Sequence, residues 1–362
     1  MVNKGLLILS AIMALVVGGL AYFLFVVHAP QAPTTASPTT PAKRETAHLA
    51  IAPLREPADD ETDLCGYGRI KKSEADVIHD EAAKQADKAL AGLEKRLAAS
   101  EDPREAALGL YMLGSKDALV KLASGSRDPQ VYALAFLSCG YTGGGACELL
   151  SAEQWAQVEP DNGVPSLLLA NAAAARPGGG DEAARNQAVI RASAAKRFDA
   201  YLPDLAGMLQ WPGLRNQAPQ TGWALADVLM GMQMGLPMIQ YTSFLNFCRK
   251  PSADDATRAS ACTSLANVLL QDRTMIGFST GVRLAEAAGW PPDQVSALRK
   301  QRTEYQSALP AARLENEKKA RWDCDGLAAF DRWAAEYSSL GDRGVAAKFI
   351  EQTKKTNAAH GH

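Results

Sequence analysis

From Gly5 to Val27 the chain runs 23 residues, GLLILSAIMALVVGGLAYFLFVV, without a charged side chain. A helix rising about 1.5 Å per residue needs roughly 20 such residues to cross a hydrocarbon core, so residues 5–27 are expected to form one transmembrane helix. A cleaved signal peptide competes for the same residues, but its apolar region runs only about 7 to 15 residues and ends at a small-x-small site. Here Pro30 and Pro33 crowd the small residues Ala29 and Ala32. Tyr22, Phe23 and Phe25 suit an interfacial belt at the outer end. Lys4 precedes the run and the next Lys or Arg is Lys43, so the positive-inside bias leaves residues 1–4 in the cytoplasm and sends the rest outward. No later apolar run reaches 18 residues, which excludes a multi-span bundle. The expected location is the inner (plasma) membrane, single-pass, with the main domain periplasmic or otherwise extracytoplasmic.

Residues 28–58 hold Pro30, Pro33, Pro38 and Pro41 among Thr, Ala and Ser. That composition cannot bury a core and favours an extended spacer, although an O-glycosylated stalk shares it. Residues 59–357 are left for the folded domain, with 358–362 as a tail.

The domain reads as all-α. Ser73-Glu74-Ala75-Asp76 and Ser151-Ala152-Glu153-Gln154 have the form of capping boxes, and Asp102-Pro103 and Asp128-Pro129 place a cap before a proline at the first helical position. Ile78, Ala82, Ala86, Leu90, Leu93 and Leu97 recur at helical spacing and predict one face of a helix about 25 residues long, with Lys84, Asp87, Lys95 and Arg96 on the other side. Similar stretches fall near 103–113, 129–138, 164–175, 182–196, 221–234, 253–270, 292–307, 326–339 and 343–354. Alternating β-branched runs are nearly absent, so strands are not expected. Short Gly-rich connections at 140–145 and 177–180 suggest serial helix pairs, either a solenoid-like repeat or a bundle-like array.

Glu159-Pro160-Asp161-Asn162, then Leu167, Leu169, Ala170 and Ala172, then Gly180-Asp181 and Ala192, resembles a tetratricopeptide or Sel1-like repeat. Trp333, Ala334, Tyr337, Gly341-Asp342 and Ala346 form a weaker echo. Ser166 stands where that family has a large residue, Pro177 to Gly179 reads as an insertion, and Arg185 occupies a position expected to be small. The resemblance implies a protein-interaction scaffold with a concave binding face and no catalysis. A generic helical array of degenerate pairs is the other reading.

The six cysteines, Cys65, Cys139, Cys147, Cys248, Cys262 and Cys324, all follow the apolar run. An even number on the oxidising side of a membrane suits disulfides, and six cysteines allow about 15 pairings. Proximity favours Cys139 with Cys147 and Cys248 with Cys262, which leaves Cys65 with Cys324. Zinc ligation needs paired Cys or Cys/His spacings that the chain lacks, and His79 is the only histidine inside the expected domain, so neither a metal nor a cofactor is expected.

With 38 Lys+Arg against 40 Asp+Glu the formal charge is −2, which argues against a nucleic-acid partner. Gly277-Phe278-Ser279-Thr280-Gly281 matches the Gly-x-Ser-x-Gly pattern of serine hydrolases, but the only later histidines are His360 and His362, so Ser279 is read as a helix cap before Val282. Gly66-Tyr67-Gly68 lacks a third glycine and reads as a turn beside Cys65. Asp254-Asp255 and Glu315/Glu317 are paired acids of the kind glycoside hydrolysis requires, yet Asp254-Asp255 also fits the first turn of a helix. Lys318, Lys319 and Arg321 read as a solvated face, the six Trp as packing residues, and Met230 to Met238 as core filling or an adaptable surface. The function expected is a membrane-anchored helical-repeat scaffold that binds another protein of the cell envelope. The alternative is an envelope hydrolase acting on glycan or cell-wall material through paired carboxylates.

Overall fold

The computed structural model describes residues 60–140, 144–178, 180–208, 239–249, 255–319 and 324–360, together with Gly222, Leu225 and Val228. Outside them lie the expected transmembrane helix at 5–27, the spacer at 28–58, most of the 221–234 stretch, the Met230 to Met238 tract, Trp211, Trp223, Trp322, Asp254, and the side chains of His79, Glu315, Glu317, Lys318 and Lys319. Everything described belongs to the unit Glu56–His362.

The chain enters through an antiparallel hairpin, β1 (Glu61–Leu64) and β2 (Gly68–Lys71), with Glu61 opposite Lys71 and Leu64 opposite Gly68. This corrects the expectation that strands are absent. Each strand is four residues long, too short to show an alternating pattern. The hairpin is held by packing: Leu64, Cys65 and Ile70 cluster with Ala82 of the first long helix. That helix, α1 (Ala75–Ala98), buries Ala82, Ala86, Leu93 and Leu97 and exposes Lys84, Asp87, Lys95 and Arg96, the two faces read from the sequence. Its start differs, because a 3₁₀ turn (Lys72–Glu74) precedes it and the N-cap is Glu74, one residue past Ser73, without a side-chain bond.

Next come α2 (Pro103–Met112), α3 (Lys116–Gly125) and α4 (Pro129–Cys139). Asp102 accepts from the N–H groups of Arg104 and Glu105, Asp128 from those of Gln130 and Val131, and a proline occupies the first helical turn in both. A 3₁₀ turn (Gly145–Leu149) leads to α5 (Ala152–Val158), which opens with the Ser151/Gln154 capping box. The pair α6 (Gly163–Ala174) and α7 (Glu182–Ser193) packs along its length and is followed by α8 (Leu202–Met208). Beyond these lie α9 (Thr242–Cys248), the packed pair α10 (Ala256–Leu269) and α11 (Met275–Ala287), and the packed pair α12 (Pro292–Lys319) and α13 (Cys324–His360). The helix α12 runs on through Pro310, well past the stretch visible as amphipathic.

One core cluster runs from Leu93 and Leu97 through Leu134, Trp155, Leu167, Phe244 and Leu265 to Ala334. Burial of these apolar side chains supplies the main driving force for the array, about 25 cal/mol per Å² removed from water. Met275, Phe278 and Val282 of α11 form a satellite cluster against Tyr305 and Leu309 of α12. Among the described residues no helix is long and apolar enough to cross a membrane.

The helix α13 is two helical halves joined at Gly341, whose φ of 67° and ψ of 176° break the spiral. A β-carbon there would lie 2.7 Å from Cβ of Arg273, so glycine is required on two counts, backbone conformation and close approach. Twelve residues of unbroken helix would separate Glu336 from Lys348 by about 18 Å. Their ion pair measures 2.6 Å, so the second half folds back on the first.

Candidate functional site

Two buried polar networks meet among the loops that connect the helix pairs. The first centres on Glu159, just past α5 and 5% exposed. One carboxylate oxygen accepts from Trp155 Nε1 at 2.7 Å and Asn162 Nδ2 at 3.3 Å, and the other accepts from Arg197 and Tyr201. Asn162 also caps α6 and donates to the carbonyl of Asp199. Tyr201 sits at φ 61°, a left-handed conformation costly for a bulky residue, and is fixed there by its N–H to Asp199 and its hydroxyl to Glu159. Burial pushes its phenol well up from the usual tyrosine range. The side-chain polar atoms of Trp155, Glu159, Asn162 and Tyr201 all have partners within the cluster, which is the signature of a structural clamp on α5, α6 and α7.

The second network centres on Arg273, between α10 and α11. Its guanidinium donates to Asp199 at 2.9 Å, to Asp204 of α8, and to the carbonyl of Ser338 in α13 at 3.1 Å. Beside it Asp272, 7% exposed, accepts from the Thr274 N–H at 2.7 Å and lies 3.5 Å from the Tyr241 hydroxyl. Asp342, at the break in α13, accepts from the N–H groups of Met275 and Arg343. Burial raises the carboxyls of Asp199 and Asp342, and it takes Asp272 to about 7, with the charges of Asp199 and Asp342 adding to the shift.

Two carboxyls with raised pKa beside one cavity are the arrangement the hydrolase reading calls for. The cavity lined by Asp199 and Asp272 holds only about 50 Å³. Ligand pockets run about 300–1,000 Å³, so a sugar ring has no room there. The acids themselves are engaged with Arg273, Tyr201 N–H, Thr274 N–H and Tyr241.

A larger concavity among the described residues is a groove of about 540 Å³ between α12 and the two halves of α13. Ala312, Trp333, Val345 and Phe349 give it an apolar floor, while Arg332, Gln352 and Asn357 stand on its rim beside the Glu336–Lys348 pair. Trp333 stacks on Tyr337 with ring centroids 5.4 Å apart, which presents a broad and rigid face. This size and lining suit one or two side chains of a docked peptide.

The cysteines pair as Cys65 with Cys324, Cys139 with Cys147, and Cys248 with Cys262, with Cα atoms 4.6, 5.8 and 5.8 Å apart. The first pair ties the hairpin to the start of α13, the second spans the Gly-rich loop after α4, and the third joins α9 to α10. Ser279 is not a cap: it lies in the interior of α11, and Thr274 caps that helix by accepting from the Gly277 N–H. With a helix rather than a strand before the serine, no nucleophile elbow forms. The two glycines serve packing instead, since a β-carbon on Gly281 would meet the Leu270 nitrogen at 2.7 Å and one on Gly277 would strike the Asp272 carboxylate. Asp255 caps α10 by accepting from the Arg258 N–H. Gly66 and Gly68 turn the hairpin at positive φ. Trp155 is fully buried, Trp290 packs against the core, and Trp333 lines the groove. Among the described residues no group of three or more His, Cys, Asp or Glu is placed to hold a metal ion.

No family model, no curated protein and no solved structure matches this chain.

Proposed function

We propose that this chain is a single-pass, membrane-anchored protein whose helical domain faces the periplasm and docks another protein of the cell envelope. The observation that carries the reading is the groove between α12 and α13, large enough for a peptide segment and floored by Trp333 and Phe349. Exposed Arg332 on its rim adds positive charge, so the segment that fits carries an apolar side chain next to an acidic one. The uncharged run at 5–27 supports the anchor, and three cysteine pairs at bonding distance suit an oxidising compartment. The serial pairs α6/α7, α10/α11 and α12/α13 are consistent with a repeat-like scaffold of tetratricopeptide or Sel1 type.

The test places a photo-crosslinking residue at Phe349 or Gln352 in the full-length chain, expressed in its own cells. The expected result is one dominant adduct with an envelope protein, weakened at least several-fold by Arg332→Glu. Absence of any specific adduct from both positions sinks the reading. Protease added to spheroplasts checks the topology, and protection of the domain from cleavage contradicts it.

A further inference from the structure

The α10–α11 loop and the break in α13 are joined by a small set of bonds. Arg343 N–H donates to the Arg273 carbonyl at 3.1 Å, Met275 N–H donates to Asp342 at 2.7 Å, and Arg273 reaches the Ser338 carbonyl. These bonds fix where the second half of α13 leaves the first, and the groove is lined by residues of both halves.

Behind the joint sits a buried carboxyl, Asp272, that pairs with no cation among the described residues. Asp272 accepts from the N–H and the hydroxyl of Thr274 in its own loop and lies 3.5 Å from the Tyr241 hydroxyl ahead of α9, while the charges of Asp199 before α8 and Asp342 in α13 act on it. The two nearby guanidiniums are directed elsewhere. Arg273 serves Asp199, Asp204 of α8 and Ser338, and Arg343 donates to the Leu270 carbonyl and lies 5.4 Å over the Phe278 ring. Gly277 closes the remaining side, with no space for even a β-carbon between α11 and the carboxylate. A charge at Asp272 thus stands in low dielectric and feels the charges of two other acids, one of which, Asp342, holds the joint.

We infer that this junction is a proton-operated latch: with a neutral Asp272 the two halves of α13 are clamped at the groove, and loss of that proton loosens the second half. The chemistry is one O–H bond broken, with the proton passing to water through the 50 Å³ cavity that Asp272 lines. The negative charge left behind repels Asp342, whose carboxylate caps Met275 and Arg343. Burial and the facing acids put the transition near neutral pH. As a regulator of docking, the latch rests on the reading of the groove as the binding face, but as a conformational device it can be tested without a partner.

The experiment is amide hydrogen exchange on the intact, disulfide-bonded protein over a pH series from 6 to 8.5, with rates corrected for intrinsic exchange. Amides of 341–353 are expected to exchange about tenfold faster at pH 8.5, the change one unit of proton linkage gives. Asp272→Asn, neutral at both pH values and still able to accept from Thr274, is expected to remove the difference and exchange slowly throughout. Asp342→Asn keeps an acceptor for Met275 and Arg343 but removes a facing charge, so it is expected to move the midpoint to lower pH. Equal corrected rates in the wild type overturn the latch, as does an undiminished pH difference in Asp272→Asn. Should Asp272→Asn not fold, an unmoved midpoint in Asp342→Asn overturns it equally. Crosslinking failure with a working latch would refute the groove reading alone.

Discussion

Asp199 Oδ2 lies 2.9 Å from Arg273 Nη2 and 3.7 Å from Arg197 Nη1, so one carboxylate joins the two buried networks across 74 residues of sequence on one side. Replacing Arg273 with Ala leaves Asp199 and Asp204, whose side chains are 18% and 25% exposed, without their common cation. Breaking a fully buried pair this way costs about 3–5 kcal/mol, and partial exposure places Arg273→Ala near about 2–3. Urea unfolding measures it, and a loss under about 1 kcal/mol would show that the networks are not coupled through this residue.

Glu159 offers a sharper case, because removing it strands Trp155 Nε1, Asn162 Nδ2, Arg197 and the Tyr201 hydroxyl together. Glu159→Ala is expected to cost about 3–5 kcal/mol. Glu159→Gln retains an acceptor and is expected to cost clearly less. If both variants unfold at the wild-type urea midpoint, the clamp has no energetic role.

The Gly-x-Ser-x-Gly segment separates packing from chemistry. Gly281→Ala forces a β-carbon against the backbone of Leu269 and Leu270 and is expected to destabilise by about 1–3 kcal/mol. Ser279→Ala, at a half-buried helical position, is expected to change stability by about 0.5 kcal/mol or less. The reverse order of effects would return attention to the serine.

Stability should also depend on pH through Asp272. Its folded pKa of about 7 exceeds the unfolded aspartate value near about 3.9, so the folded state holds the proton more tightly. The stabilising contribution is then full below about pH 4 and is lost as pH rises towards 7. Asp199 and Asp342 are shifted in the same direction. Thermal melts of Asp272→Asn are expected to be flatter than wild type across this window, with the variant gaining relative to wild type as pH rises. A slope identical to wild type between pH 4 and 8 would contradict the assignment.

The cysteine pairs are expected to matter in order of the loop each closes. By the chain-entropy model the 259-residue span of Cys65–Cys324 restrains the unfolded chain by about 5.6 kcal/mol, roughly twice the value for the 8-residue span of Cys139–Cys147. Comparing the Cys65→Ser/Cys324→Ser and Cys139→Ser/Cys147→Ser double variants in guanidinium reads the ratio, and a larger loss from the second would reverse the ranking.

Long helices with local caps were legible from sequence alone. Asp102, Asp128 and Ser151 cap where their spacing to proline or glutamine indicates, and the buried face of α1 follows its apolar period. Elements set by tertiary packing were not. The helices α8 and α9 are each seven residues, about two turns, and leave almost no period to detect. The helix α11 was expected only from Ser279 onward, because the Gly-x-Ser-x-Gly pattern masks its first turn; it starts at Met275 with Thr274 as its cap, and Gly281 serves close packing on α10. The polar networks were missed because Glu159, Asp199 and Asp272 are single acids near helix ends, where caps and solvated charges are the ordinary expectation. One signal was present: Asp272-Arg273 and Asp342-Arg343 repeat the same dipeptide beside a helix start, and the two meet in space.

The Cys65–Cys324 bond closes most of the folded chain into a covalent ring. Tension applied at the hairpin and at the far end of α13 passes from sulfur to sulfur and bypasses the helices from α1 to α12. A molecule held by an anchor at one end and a partner near the other would carry mechanical load along that short path, with the array between them left slack. A protease cut anywhere inside the ring would likewise leave both pieces joined.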